Sequence, residues 1–170
     1  MFNRHAIRTA IFSLIAISSA SASTIQVSEL LCASPGTATI NIKFFGTAGE
    51  PVATFLTHVV FDNTKFRNIV ATGINGGSCS VDQQNGFVSV QGPGGQNDLP
   101  TAIYCSLVVM TAPHIPPNTF VWLTPTVSGP NFNDGGCFSA DALPINCLLA
   151  AGNVVINNFP NYFIDGFDNF

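Results

Sequence analysis

ATFLTHVVFDNTKFRNIVATGI, residues 53–74, decides the fold. Phe55, Val59 and Phe61 share one face of an extended segment, and Leu56, His58 and Val60 share the other. Few positions are purely polar, which predicts a central strand. Asp62-Asn63-Thr64 then turns the chain, because short Asp and Asn side chains bond nearby backbone groups. A second strand starts at Phe66 and runs to Ile74. This strand–corner–strand unit belongs in a β-sandwich.

The same punctuation continues on both sides. Residues 24–31 (TIQVSELL) read as a first strand, and Pro35-Gly36 turns the chain. Residues 37–44 (TATINIKF) alternate, with Ala38, Ile40, Ile42 and Phe44 on one face, as a half-buried strand requires. Residues 78–82 and 87–91 predict a hairpin around Gln83-Gln84-Asn85-Gly86, where Asn-Gly is a strong turn signal. Residues 101–111 (TAIYCSLVVMT) form a long apolar strand. Residues 120–127 form another, and Pro125 predicts that it lies at an edge or frays there. A long loop, residues 129–144, precedes a closing strand at 153–157. The expected fold class is all-β: an eight- to nine-stranded antiparallel β-sandwich with jelly-roll topology and no helix.

This order of features resembles the cohesin-like modules of secreted bacterial proteins, which share a fold with some carbohydrate-binding modules. The segments that carry the resemblance are PGTATINIKF, the 53–74 stretch, CSVDQQNGFVSV, TAIYCSLVVMTA, FVWLTPTV and GNVVI. In that family a strand ends in a Phe/Tyr-Asp pair, and an apolar residue opens the next strand before an IVATG-like run. Phe61-Asp62, Phe66 and residues 69–73 match. The resemblance spans residues 24–156. It implies a non-enzymatic recognition module, and it transfers no short binding motif. The chain departs from the family in carrying five cysteines, and it contains no dockerin-like module.

Arg4 and Arg8, the apolar run 10–17 and the small residues Ala20-Ser21-Ala22 predict a cleavable export signal over residues 1–22. Its eight-residue apolar core is too short for a bilayer, which takes about 20 residues. The domain expected to follow is a sandwich over 23–157, with an aromatic and acidic tail over 158–170. Loss of the leader removes two of the five bases, so nine acids face three bases and the net charge moves from −4 to −6. That balance excludes nucleic acid, which needs basic phosphate contacts, and leaves no drive toward anionic membranes. An exported chain with five cysteines is expected to form disulfides. Two bridges and one leftover allow about 15 pairings. The expected ones are Cys137–Cys147, closing a short loop, and Cys79–Cys105, tying two strands. Cys32 is then unpaired, either as a buried thiol or as an intermolecular link.

Catalytic patterns are missing. There is no G-x-S-x-G, H-E-x-x-H or Cys-x-x-Cys. His58 lies in an apolar strand and His114 in a Pro-rich loop, contexts that suit a packed and a solvated side chain. Most acids sit beside turn residues. Asn131, Asn133, Asp134 and Asp141 offer hard oxygen ligands in one loop, but not at the EF-hand spacing. No cofactor and no metal are expected.

Exposed aromatics are the better lead, because sugar-binding sandwiches stack aromatic rings on pyranoses. Trp122, Tyr104, Phe132 and Tyr162 are the candidates, although Trp122 alternates with Phe120 and Thr124 as a core residue also would. The expectation is a secreted, monomeric, non-enzymatic module, outside the cell or on its surface, that binds polysaccharide. The alternative is a protein–protein or structural module using a sheet face, Cys32 or the tail. The tail's Asp165-Gly166-Phe167 resembles a short Asp-Gly-Phe ending of some exported bacterial proteins, which implies an export or surface signal.

Overall fold

The computed structural model describes residues 22–33, 36–49, 51–95, 98–116 and 118–157, with the backbone alone for 30–33 and 157. The predicted leader (1–22, all but Ala22) and the tail (158–170) lie outside them, as do the thiol of Cys32 and the side chain of Tyr162.

Among the described residues thirteen strands follow one another: β1 (Thr24–Val27), β2 (Leu30–Ala33), β3 (Thr37–Phe45), β4 (Thr54–Phe61), β5 (Phe66–Gly73), β6 (Ser78–Asp82), β7 (Phe87–Gln91), β8 (Ala102–Thr111), β9 (Thr119–Thr126), β10 (Gly136–Phe138), β11 (Pro144–Ile145), β12 (Leu148–Ala150) and β13 (Gly152–Asn157). Alternation decides which face each strand buries. In β3, Ala38, Ile40, Ile42 and Phe44 all point into the core. In β4, Phe55, Thr57, Val59 and Phe61 do the same.

Two sheets pack these faces together. One has the order β12-β1-β3-β8-β5. In the other, β7 and β6 extend one side of β4. The opposite side of β4 is shared: β10 and β11 flank its first half, and β9, β13 and β2 continue from its second half. The predicted central place of β4 is therefore met. Most ladders are antiparallel, but β1–β12 and β13–β2 are parallel.

The all-β sandwich stands, with a higher strand count for two reasons. The predicted first strand splits, so that β1 joins one sheet and β2 the other. Ser28 sits at the crossing. Its backbone N–H donates to the Asn41 carbonyl (2.9 Å) and its hydroxyl accepts from the Asn41 N–H (2.9 Å). The 129–144 loop also holds β10 and the start of β11, and β12 follows it. β9 is not an edge strand, but its ladder with β13 ends at Leu123, two residues short of Pro125.

Both expected disulfides form. Cys79–Cys105 joins β6 to β8, and Cys137–Cys147 joins β10 to the residue before β12; the Cα–Cα distance is 6.1 Å in each. Cys79–Cys105 ties one sheet to the other, and Cys137–Cys147 ties β10 to the link that carries the chain from β11 in the same sheet to β12 in the other. The β6–β7 turn closes as its Asn-Gly pair predicts. Asp82 accepts from the backbone N–H and side-chain amide of Asn85 (3.0 and 2.8 Å), and Gly86 adopts φ +70°.

Candidate functional site

The outer face of the β6-β7-β4-β9-β13 sheet carries the features that need a functional account. Residues directly opposite in a ladder share a face. One row therefore runs Asp82, Phe87, Val60, Thr124, and the next runs Ser80, Ser89, His58, Thr126. Trp122 and Phe120 follow along β9, opposite Asn153 and Val155 of β13.

Half of this face is covered. The segment after Val127 folds back over β4 and β7 and places Phe132 flat on His58, with ring centroids 4.0 Å apart and planes at 22°. Phe132 also meets Phe87 edge to face at 5.0 Å. Gly135 makes this approach possible: a Cβ there would lie 2.2 Å from the Leu56 carbonyl oxygen. Its N–H donates to the Val127 carbonyl at 2.6 Å. His58 is consequently only 3% exposed, although it points away from the core.

Both ring nitrogens of His58 are engaged. Nε2 lies 2.9 Å from the Asn133 carbonyl oxygen and Nδ1 2.9 Å from the Ser89 hydroxyl. A carbonyl only accepts, so Nε2 carries the proton, and in the neutral ring Nδ1 accepts from Ser89. Burial holds His58 below the usual histidine range, and the bond to Asn133 pulls in the opposite direction. A histidine so enclosed is not presented to a substrate. At the edge of the covered half, Asp82 is held below the usual carboxylate range by its bonds from the Asn85 side chain and backbone.

The other half is open and apolar. Phe120 is 60% exposed, Trp122 57% and Val60 37%. With Phe61, Asp62, Lys65, Val121 and Thr124 they line a shallow depression of about 350 Å³. Asp62 at its rim is turned to local work. Its Oδ1 accepts from the Thr64 hydroxyl (2.6 Å) and backbone N–H (2.9 Å), bonds that hold its carboxyl below the usual range.

The sequence-predicted aromatics separate accordingly. Tyr104 is 1% exposed, packs against Phe44 and Phe55, and donates its hydroxyl to the Pro100 carbonyl (2.9 Å). Its expected ligand-binding role is corrected: β8 turns this residue into the core between the sheets. Trp122 is not a core residue, because Val121, Leu123 and Pro125 are the inward positions of β9. Phe132 serves as the cover of His58, and its exposed area is partial. Tyr162 lies outside the described residues. Phe120 and Val60 are the partners of Trp122 that sequence reasoning missed. The signal was present, since FVWL in β9 is apolar at consecutive positions and cannot bury both faces on one core. Among the described residues, no three His, Cys, Asp or Glu side chains gather as a metal site would require.

No family model matches the chain, and no curated protein matches it by sequence. Solved structures do match. The cohesin of Clostridium thermocellum OlpC, solved in complex with a dockerin, superposes with a TM-score of 0.67 at 14% identity, covering 91% of this chain and 99% of that one. The sixth cohesin of Acetivibrio cellulolyticus scaffoldin B, also in a dockerin complex, gives 0.66 at 11% identity, over 81% of this chain and 100% of that one. A non-cellulosomal cohesin from the archaeon Archaeoglobus fulgidus gives 0.60 at 10% identity, over 80% and 91%. By fold, the protein is a cohesin-like β-sandwich.

Proposed function

We propose that the protein is a non-enzymatic recognition module that docks a partner protein on the open half of this face, outside the cell or at its surface. The observation that carries the reading is the contiguous exposure of Phe120, Trp122 and Val60 on a regular sheet. A rigid sheet holds these side chains at little further ordering cost, and Trp is the residue type most enriched among binding hot spots. Cohesins of the same fold have been solved with a dockerin bound, so the partner class proposed is a dockerin-like protein module. Polysaccharide draws less support. Tyr104 is buried and Phe132 is stacked on His58, so two of the three described rings of the expected set are withdrawn, and Phe120 is the exposed ring that stands beside Trp122.

The test is a binding measurement with residues 23–170 immobilised against a panel of purified dockerin modules and, in parallel, soluble polysaccharides. A dockerin that binds wild type and weakens about tenfold or more with Trp122→Ala supports the reading. Binding to polysaccharide alone, lost with the same substitution, overturns it in favour of glycan recognition. So does dockerin binding that Trp122→Ala leaves unchanged.

A further inference from the structure

We infer that Met110 is a site of reversible oxidation by peroxide, and that Arg67 takes up the oxygen of the sulfoxide formed there. The site lies on the outer face of the β12-β1-β3-β8-β5 sheet, so the inference stands apart from the docking reading.

Backbone geometry sets the pair. Phe66 lies opposite Thr111 and Asn68 opposite Met110, which leaves Arg67 as an extra residue between two ladder partners. A bulge of this kind re-aims a side chain. The exposed Arg67 side chain reaches across to β8, where its Nη2 donates to the Met110 sulfur at 2.8 Å. A thioether is a weak acceptor, whereas a guanidinium carries several N–H donors and a permanent charge. The donor is therefore stronger than the group it meets.

Access comes from the surroundings. β8 turns Leu107 and Val109 into the core, and Val108 and Met110 outward. Met110 is half-buried at an open depression of about 300 Å³, which it shares with Gly36, Thr37, Arg67, Thr111 and Pro113. None of these lining residues is acidic. The Thr111 hydroxyl is turned to Gly36, accepting from its N–H (3.2 Å) and donating to its carbonyl (3.3 Å). Arg67 is thus the charged donor beside the sulfur.

The chemistry is oxygen transfer. A sulfur lone pair attacks one oxygen of hydrogen peroxide, and the S–O bond forms as the O–O bond breaks. The sulfur is oxidised and the peroxide reduced. The proton of the transferred oxygen passes to the departing hydroxide, which leaves as water. The product puts a polar S–O group where a soft apolar atom stood, a change that ordinarily disrupts packing. Beside Arg67 the new oxygen accepts a charge-assisted bond, in place of the weak one to sulfur. Oxidation at Met110 is therefore absorbed without loss of stability, and methionine sulfoxide reductases reverse it. Met110 is also the one methionine downstream of the predicted leader.

The experiment treats residues 23–170 and their Arg67→Gln variant with hydrogen peroxide. Mass spectrometry follows the peptide that holds Met110, and thermal melting follows the folded protein. Met110→Leu, a swap of similar volume, measures the effect of peroxide at other residues, which is subtracted. Wild type is expected to gain one oxygen at Met110 and to keep or raise its melting temperature. Arg67→Gln should gain the same oxygen and melt about 2–4 °C lower, as loss of one such bond does in a domain of this size. If oxidation changes the two melting temperatures alike, or lowers wild type further, Arg67 does not receive the oxygen and the inference is overturned. It is equally overturned if Met110 stays unoxidised while free methionine in the same solution is converted.

Discussion

The imidazole of His58 and the ring of Phe132 lie face to face, centroids 4.0 Å apart, although 74 positions separate them in the chain. This stack divides the outer face of the sheet into a covered half and an open half. It predicts that Phe132→Ala uncovers His58. The loss should be about 1–2 kcal/mol of stability, from an aromatic pair and partial burial. Urea unfolding measures it. NMR titration of the imidazole in the same variant should show its pKa rising toward the ordinary value.

The pH dependence follows from the same burial. His58 has a folded-state pKa below its unfolded value near 6.5. Above that value both states leave the ring neutral, and the native arrangement keeps its full stability. As pH falls through 6.5 toward the folded pKa, the unfolded chain takes the proton first and stability declines. His58→Gln should flatten the stability curve between neutrality and mild acid. An unchanged slope would show that another group carries it. Asp62 and Asp82 are also held below their usual range, so their contribution is present above about pH 4 and is lost only further down.

The two disulfides close loops of different length: the cysteines are 26 positions apart in Cys79–Cys105 and 10 in Cys137–Cys147. Replacing the cysteines of one bridge by Ser should cost about 2–4 kcal/mol, and the longer loop should cost more by about 1 kcal/mol. Denaturant midpoints of the two double variants rank them directly. Equal losses would point to native-state packing rather than loop entropy as the source.

Trp122 and Tyr104 should respond in opposite ways. Trp122→Ala removes an exposed side chain, so stability should stay within about 0.5 kcal/mol of wild type while partner binding falls. Tyr104→Ala opens a hole beside Phe44 and Phe55 and should cost about 3–5 kcal/mol. Tyr104→Phe removes only the bond to Pro100 and should cost about 1 kcal/mol. Thermal melts and the dockerin panel together separate the two residues.

Local rules made most of the sandwich legible. The alternation of residues 37–44 became β3 with its predicted inward set, the Asn85-Gly86 turn became the β6–β7 hairpin, and residues 53–74 became β4, a corner and β5. Elements held by distant partners were not legible. β10 exists because it pairs with the first half of β4, and β12 because it lies parallel to β1. Neither has alternation long enough to stand out. The candidate site was legible only as a set of aromatic residues, of which Tyr104 proved to be core and Trp122 surface.

By itself, then, the sequence determined the β class, the hairpins and which strands are half-buried, because periodicity and turn chemistry act over a few residues. Only the tertiary structure decided which face of β9 meets the core and that Phe132 would shield His58. It also left Phe120, Trp122 and Val60 bare. Those outcomes depend on how two sheets and a loop divide a limited interior among more apolar side chains than it can hold, and no local pattern encodes that division.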